Sequence, residues 1–303
     1  MNFFDVFSEM LVILFCMAAG FLAHKLGYLG GETDQKLCRL ILGITMPCLI
    51  LGSVSAGDTL PSAGEILSIL KVAAVFYGLG FLTAAFVPRL LGGTAKQQGV
   101  WRYCLVFANM AFIGYPVSVA LLGQDALFYA VILVLPFNLL SFSLGPLMLA
   151  GQAKFRWQQL TSPCVIAAVA ALVVALCRLN IPALAGECLN FVGSLTTPLS
   201  LLVVGSLLAD LPFGRAFTSL RLWILTALRL LILPGVLWLV LKWTGIGTPL
   251  VDDIAVILMA TPAALNGSML AMEYGGDTEC MAQSIFLTTL MSILTIPVLA
   301  ALL

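Results

Sequence analysis

The 303-residue chain is 61% hydrophobic and only 9% charged, and its formal net charge at pH 7 is zero. Soluble globular domains carry about 25% charged residues, so this composition excludes a soluble domain and predicts an integral membrane protein. The balanced charge gives no indication that nucleic acid is a partner.

Ten apolar stretches, separated by short polar breaks, follow one another along the chain. A bilayer core of about 30 Å needs about 20 apolar residues per helix, so each stretch is predicted to span a membrane once. The first stretch has Asp5 and Glu9 but no Lys or Arg ahead of its apolar core, which is the wrong flank for a cleavable signal peptide. The predicted spans one to ten are residues 5–26, 36–56, 66–91, 100–122, 125–150, 160–180, 187–210, 217–243, 250–274 and 278–302.

The positions of Lys and Arg predict how the spans are oriented. Ten of these residues lie in or beside the breaks that follow odd-numbered spans, and three lie beside the breaks that follow even-numbered spans. Cytoplasmic loops carry the excess of positive charge. We therefore expect the odd-numbered breaks in the cytoplasm and both termini outside, on the periplasmic side.

Three matches at nearly one offset indicate an internal repeat. Pro47 and Pro198 are 151 residues apart, and a Gly-Gln-Asp motif precedes a Gly-Gly-Asp motif by 152 residues. Pro146 and Pro297 are also 151 residues apart. Each unit holds five spans, an odd number, so the second unit must be inverted relative to the first, as is typical of secondary transporters. The predicted repeats are residues 1–152 and 153–303.

Span four contains ANMAFIGYPVSV, in which Gly114 and Pro116 interrupt an apolar helix. Proline lacks the N–H that would bond one turn back, and its ring clashes with the preceding turn, so the helix is predicted to break near Gly114 to Pro116. The freed backbone groups are tolerated only where they are buried in protein or line a wet cavity. The alternative is that Pro116 only kinks a packed helix, as prolines often do in membranes.

Span nine repeats this arrangement in MATPAALNGSML. Thr261 is expected to be the N-cap of a new half-helix, with Pro262 at its first position and Asn266 about one turn later. Spans four and nine occupy equivalent places in the two predicted repeats. This equivalence favours two broken helices that cross near the middle of the membrane over two unrelated kinks.

Crossing half-helices would create a site for an anion. Each half-helix N-terminus carries about half a positive charge and unpaired N–H donors, so a carboxylate is the expected guest. The amides of Asn109 and Asn266 would add hydrogen bonds without adding charge. The predicted substrate-binding residues are Asn109, Ile113, Gly114, Tyr115, Pro116, Asn138, Pro262 and Asn266, and the predicted helix breaks are Gly114, Pro116, Thr261 and Pro262.

These motifs resemble the auxin efflux carrier family, whose bacterial members include malonate-type carriers. NMAFIGYP is similar to its fourth-helix signature, in which Pro follows Asn by seven residues and Gly lies two before the Pro. TPAALNGSMLAMEYGGD and SIFLTTLMSILTIP are similar to its ninth and tenth helices. The likeness covers nearly the whole chain, because GYLGGETDQKLCRLILGITMPCLIL and TTPLSLLVVGSLLADLP are similar to its second and seventh helix regions.

The resemblance implies an all-α integral membrane fold of ten transmembrane helices, in two inverted five-helix repeats with broken crossing helices four and nine, similar to the NhaA antiporter and the bile-acid symporters. Helices one, two, six and seven would form a scaffold, and helices three to five and eight to ten a moving transport domain. The resemblance also implies a homodimer among the lipids of the bacterial inner membrane that carries a malonate-like or auxin-like organic anion by an elevator-like motion. Asn109, Gly114, Pro116 and Pro262 match family motif positions, whereas the assignment of Asn266 depends on its position alone.

Arg229 lies about 12 residues into span eight, which is about 18 Å at 1.5 Å per residue and therefore near the midplane. An unpaired charge there costs at least about 2.5 to 3.5 kcal/mol. Our hypothesis is that Arg229 lies behind the crossing and supplies the fixed positive charge that sodium provides in related folds. Alternatively, its side chain snorkels towards the membrane surface or forms a structural pair.

Some further polar residues have two interpretations each. Asn138, near the middle of span five, and its repeat mate Thr289 either line the site or bond a neighbouring helix. Threonines next to prolines either shape the scaffold face opposite the site or repair the local backbone. These threonines and prolines are Thr45 with Pro47 and Thr197 with Pro198.

Other function classes fit the sequence less well. A single histidine cannot provide the HExxH motif of a metalloprotease, and the adjacent carboxylates Asp252 and Asp253 have no second cluster to complete a magnesium site. The eight cysteines form no CxxC pair. We therefore predict a secondary transporter with no catalytic residue, metal or cofactor, and the alternative is an anion channel or a membrane receptor of the same fold.

Overall fold

In the part of the chain that the structure describes, the backbone is helical apart from turns and two extended stretches. This structure is a computed structural model, and it describes residues 3–52, 54, 63–150, 163–177, 179, 181–209 and 217–302. Within these residues, five helices are long and apolar enough to span a membrane, and four shorter apolar helices accompany them. The prediction of an all-helical membrane protein is confirmed, and its division into two inverted repeats stays a prediction.

The helices follow the predicted spans in chain order, with ends that differ by a few residues. The letters a and b mark half-helices on either side of a break. The helices are α1 (Phe3–Lys25), α2 (Gly31–Gly52), α3 (Ala63–Leu91), α4a (Ala95–Val106), α4b (Met110–Leu122), α5 (Ala126–Ala150), α6 (Pro163–Cys177), α7 (Ala183–Ala209), α8 (Leu220–Thr244), α9a (Pro249–Met259), α9b (Asn266–Tyr274) and α10 (Thr278–Ala300).

Three of the described helices contain a π turn that ends two residues before a proline. The proline ring clashes with the carbonyl one turn back in an α-helix, whereas the longer i→i+5 bonds of a π turn move that carbonyl away. The helix therefore continues through the proline. The turns and their prolines are Ile41–Thr45 with Pro47 in α2, Met110–Gly114 with Pro116 in α4b, and Leu228–Ile232 with Pro234 in α8.

The break in α4 lies earlier in the chain than the sequence predicts, because a π turn begins α4b. The sequence predicts a break near Gly114 to Pro116, but the helix continues there and the break lies at residues 107–109. Gly114 itself is helical, with φ of −64° and ψ of −46°. A Cβ at Gly114 would lie 2.6 Å from Leu258 Cδ2. Glycine therefore leaves room here for the Leu258 side chain where α4b lies close to α9a, and it does not mark a break.

Helices α1 and α7 cross with their backbones in direct contact. A Cβ at Gly20 would meet the carbonyl of Leu202, and a Cβ at Gly205 would meet the carbonyl of Met17. Small residues of this kind let membrane helices approach closely. Helix α2 packs against both α6 and α7, so α1, α2, α6 and α7 form one packed group.

A buried polar cluster joins members of the same group near the Lys25 end of α1. Asp34, in the first turn of α2, is 2% exposed and accepts hydrogen bonds from Gly30 N at 3.0 Å and from Ser206 Oγ at 2.6 Å. His24 Nδ1 lies 3.0 Å from the same hydroxyl. Because Ser206 belongs to α7, hydrogen bonds link α1, α2 and α7 at this end.

Candidate substrate site at the crossing of α4 and α9

The extended stretches that interrupt α4 and α9 meet in an antiparallel β-bridge. The N–H of Asn109 donates to the carbonyl of Pro262 at 2.7 Å, and the N–H of Ala264 donates to the carbonyl of Phe107 at 3.1 Å. Backbone groups freed by a break cannot face lipid and must bond within the protein. Here the backbone groups freed by one break form hydrogen bonds with those freed by the other, so the two helices cross at this point.

The second half of α9 begins later than the sequence predicts. Thr261 is predicted as its N-cap and Pro262 as its first residue, but α9b begins at Asn266 with Leu265 at the N-cap position. The Thr261 hydroxyl instead donates back to the carbonyl of Leu258 at 2.8 Å and closes the end of α9a. Pro262, which has no N–H to offer, lies in the bridge, where its carbonyl accepts.

Asn109 is the residue before α4b, and it is 4% exposed. Its backbone carbonyl accepts from the N–H groups of Ile113 and Gly114 at 3.3 and 3.1 Å. Its side-chain nitrogen, Nδ2, has no hydrogen-bond partner within the described part of the chain. An unpaired buried polar group costs about 1–3 kcal/mol. The crossing therefore holds an unused donor beside the N-terminus of a helix.

Asn266, the first residue of α9b, uses both ends of its amide within the protein. Its Oδ1 accepts from the Tyr103 hydroxyl at 3.0 Å, and its Nδ2 donates to Ser141 Oγ at 3.4 Å. The hydroxyls of Ser141 and Tyr103 lie 2.9 Å apart. The three side chains therefore form a closed ring of hydrogen bonds that joins α9b to α4a and α5.

Arg229 lies in the π turn of α8 and is 0% exposed. Its Nη1 donates to the carbonyl of Leu105, in the last turn of α4a, at 3.3 Å, and it lies 3.3 Å from the sulfur of Met259, the last residue of α9a. Its Nε and Nη2 have no hydrogen-bond partner among the described residues. The guanidinium is therefore placed at the C-terminal ends of both first half-helices.

The crossing lies against α7 across a mainly apolar surface. Ile113 and Val117 of α4b belong to one buried cluster with Leu201 of α7. One directional contact is added by Ser200 of α7, whose hydroxyl is shared between the carbonyl of Thr197 in α7, at 2.9 Å, and that of Phe112 in the π turn of α4b, at 3.3 Å. The substrate-site candidates on α4b thus lie next to the packed group of α1, α2, α6 and α7.

The other predicted residues lie on helices around the crossing. Thr45 and Thr289 each bury a hydroxyl that has no partner among the residues that the structure describes. The stretch Thr196–Ala209 of α7 contacts the π turns of both α2 and α4b. The side chain of Asn138, in α5, lies outside the described residues. The remaining positions are Tyr115 and Pro116 in α4b, Pro47 in α2, and Thr197 and Pro198 in α7.

A family model for membrane transport proteins matches residues 5–154 and 146–300, which together take in nearly the whole chain. The chain belongs to this family, the auxin efflux carrier family. Membership confirms the resemblance that the sequence motifs carry. Membrane transport is the activity class of the family to which this chain belongs.

Three relatives align with this auxin efflux carrier family member along most of their length. An uncharacterised transporter of Methanothermobacter thermautotrophicus is 24% identical over 98% of both chains. An uncharacterised transporter of Methanocaldococcus jannaschii is 26% identical over 94% of this chain and 95% of its own. A Rhizobium meliloti protein, named as a proposed malonate transporter, is 23% identical over 91% of this chain and 89% of its own. These names support a transporter and not an enzyme.

The family motifs carry only part of this site, because they do not include Tyr103 or Ser141. Tyr103 is 0% exposed, and two glycines make room for its ring. A Cβ at Gly145 would lie 3.0 Å from its Cε2, and a Cβ at Gly267 would lie 2.7 Å from its Cε1. The sequence signal for this contact is a tyrosine and two glycines that lie within apolar helices.

Proposed function

We propose that this protein is a secondary transporter that carries a small organic anion across the membrane, a carboxylate of the malonate-like or auxin-like kind. The carboxylate binds at the crossing of α4 and α9, where it accepts from Asn109 Nδ2 and from N–H groups in the first turn of α4b. The observation that carries this proposal is the side chain of Asn109, which is 4% exposed, lacks a partner for its Nδ2 among the described residues and stands at a helix N-terminus.

The electrostatics of the crossing support an anion as the substrate. The N-terminal ends of α4b and α9b each bring about half a positive charge to it. Asn109 adds donors without adding a negative charge. A carboxylate uses all of these features, whereas a cation would meet the positive ends of two helices. The name of the Rhizobium meliloti relative, which refers to malonate, supports a small carboxylate.

The two asparagines have different roles in this proposal. Asn109 contacts the substrate, because its Nδ2 is the amide group left unpaired. Asn266 positions the N-terminus of α9b, because Tyr103 and Ser141 already occupy both ends of its amide. The substrate therefore reaches the N-terminal turn of α9b without displacing the hydrogen-bond ring.

Transport proceeds by an elevator-like movement in this proposal. Helices α3 to α5 and α8 to α10 move against a scaffold of α1, α2, α6 and α7 in a homodimer in the inner membrane, with both termini on the periplasmic side. The glycine contacts between α1 and α7 and the Asp34 cluster support a rigid scaffold. The mainly apolar contact between α4b and α7 supports sliding, because few directional bonds must break there.

Uptake into proteoliposomes tests this proposal. Labelled malonate and indole-3-acetate are supplied to the wild type, to Asn109→Ala and to Asn190→Ala, a control in α7 outside the crossing. We expect saturable uptake of at least one carboxylate by the wild type and by the control, and its loss in Asn109→Ala. Equal uptake by all three proteins would overturn the site assignment, and non-saturating flux with single-channel currents would identify a channel.

A further inference from the structure

The first half-helices of α4 and α9 both end at the crossing. The α4a helix ends at Val106 and is followed by extended Phe107, and α9a ends at Met259. The last carbonyls of a helix have no intrahelical donor, and a helix C-terminus therefore carries about half a negative charge. Two such ends, held together by the bridge, place about one negative charge in a buried part of the protein.

Arg229 supplies one positive charge at the same place. Its Nη1 contacts the last turn of α4a through Leu105 and the last residue of α9a through Met259. No Asp or Glu in the described part of the chain lies within ion-pair distance of its guanidinium. A buried charge is costly unless a complementary charge or dipole lies near it, and the helix ends are the negative groups that the structure places beside it.

Neither snorkelling nor a structural ion pair fits the contacts of Arg229. Snorkelling would leave the guanidinium exposed towards the membrane surface, but Arg229 is 0% exposed. A structural ion pair would need a carboxylate, and none among the described side chains is paired with it. What remains is a cation that bonds a carbonyl at the end of α4a and contacts the Met259 side chain at the end of α9a.

We propose that Arg229 is the built-in counter-charge of the C-terminal ends of α4a and α9a at the crossing. It is a positioning residue, since it holds the C-terminal ends of α4a and α9a together and so fixes the two N-terminal ends that face the substrate. No metal cation is then needed beside these two helix ends during transport. The statement about transport rests on the proposed function, whereas the statement about the crossing rests on the fold alone.

Chemical rescue tests this proposal. Arg229→Ala removes the cation and leaves a cavity for guanidinium, and Leu230→Ala is the matched control, since Leu230 is its neighbour in the π turn and is also 0% exposed. Thermal unfolding in detergent and carboxylate uptake in proteoliposomes are measured with millimolar guanidinium chloride or with the same concentration of choline chloride. We expect guanidinium to raise the melting temperature of Arg229→Ala and to restore part of an uptake that has fallen by about tenfold. The same salt should leave Leu230→Ala unchanged.

Two further variants separate charge from shape. Arg229→Lys keeps the charge and Arg229→Gln removes it, so we expect the lysine variant to melt at a higher temperature and to take up more substrate than the glutamine variant. Equal behaviour of these two variants, or an equal response of Arg229→Ala and Leu230→Ala to guanidinium, would overturn the proposal.

The melting temperatures keep this test separate from the test of function. If guanidinium stabilises Arg229→Ala while neither the wild type nor any variant takes up a carboxylate, the counter-charge stands and the proposed function fails. If the wild type transports and guanidinium stabilises neither alanine variant, the proposed function stands and the counter-charge fails.

Discussion

The N–H of Asn109 donates to the carbonyl of Pro262 across 2.7 Å, so a backbone group freed by the break in α4 bonds one freed by the break in α9. Neither helix could be interrupted alone within a membrane, because each unpaired backbone group costs several kcal/mol there. The same bridge sets the positions of the four half-helix ends. We therefore expect substitutions at the bridge to change stability and transport together.

Replacing Pro262 by alanine is expected to destabilise the crossing. Alanine adds an N–H to the bridge and favours a helical conformation, which competes with the extended one that the bridge needs. The free energy of unfolding should fall by about 1–3 kcal/mol, measured by thermal unfolding in detergent. Pro297→Ala is the control, because Pro297 lies inside α10 and its loss restores a helical donor. A smaller effect at Pro262 than at Pro297 would contradict the account.

Removing the hydroxyl of Tyr103 is expected to open the hydrogen-bond ring. Tyr103→Phe leaves the Oδ1 of Asn266 and the hydroxyl of Ser141 short of a partner, which should cost about 1–3 kcal/mol of stability. A double-mutant cycle with Ser141→Ala checks the ring, because members of one network give non-additive effects. Strictly additive losses would show that the two residues act independently.

The space around two glycines predicts opposite effects when each is replaced by alanine. In Gly267→Ala the added Cβ would lie 2.7 Å from the tyrosine ring and 2.9 Å from the sulfur of Met281, so overpacking should cost about 1–3 kcal/mol. Gly78 has no such neighbour within 4 Å and lies inside α3. Gly78→Ala should instead be neutral or stabilise by up to about 1 kcal/mol. Melting temperatures that shift in the same direction would contradict this prediction.

Ser200→Ala is expected to change the transport rate more than the stability. The Ser200 hydroxyl bonds the carbonyl of Thr197 within α7 and that of Phe112 across the contact between α7 and α4b, and an elevator movement breaks the second of these bonds in every cycle. A full hydrogen bond contributes about 1 kcal/mol and this one is shared, so the rate of exchange should rise by up to about fivefold. Ser194→Ala is the control, because its hydroxyl bonds only within α7, to Phe191. Equal rates in both variants would argue against sliding at this surface.

Several parts of the fold and site can be predicted from the sequence because they depend on local chemistry. Composition alone indicates the membrane helices, and the depth of Arg229 along its span indicates a buried charge. The prolines of spans four and nine correctly mark which helices are interrupted. Each of these inferences uses only composition or the position of a residue along one helix.

The remainder depends on contacts between helices, which the sequence does not display. The break in α4 lies ahead of Pro116 because a π turn carries the helix past the proline, and α9b begins after Pro262 because Thr261 bonds back to α9a. The different roles of Asn109 and Asn266 follow from the Tyr103 hydroxyl, which comes from another helix. Local sequence patterns alone give these two asparagines the same role.

Binding of a labelled carboxylate to the purified protein tests the central claim most directly. Scintillation proximity measurements with malonate and indole-3-acetate would compare the wild type with Asn109→Asp, which keeps the shape of the side chain but replaces its donor with a negative charge. Asn190→Asp makes the same change outside the crossing, and thermal unfolding verifies that each variant is folded. We predict saturable binding by the wild type and by Asn190→Asp, and binding weaker by about tenfold or more in Asn109→Asp. Unchanged affinity in a folded Asn109→Asp protein would place the substrate somewhere other than the crossing of α4 and α9.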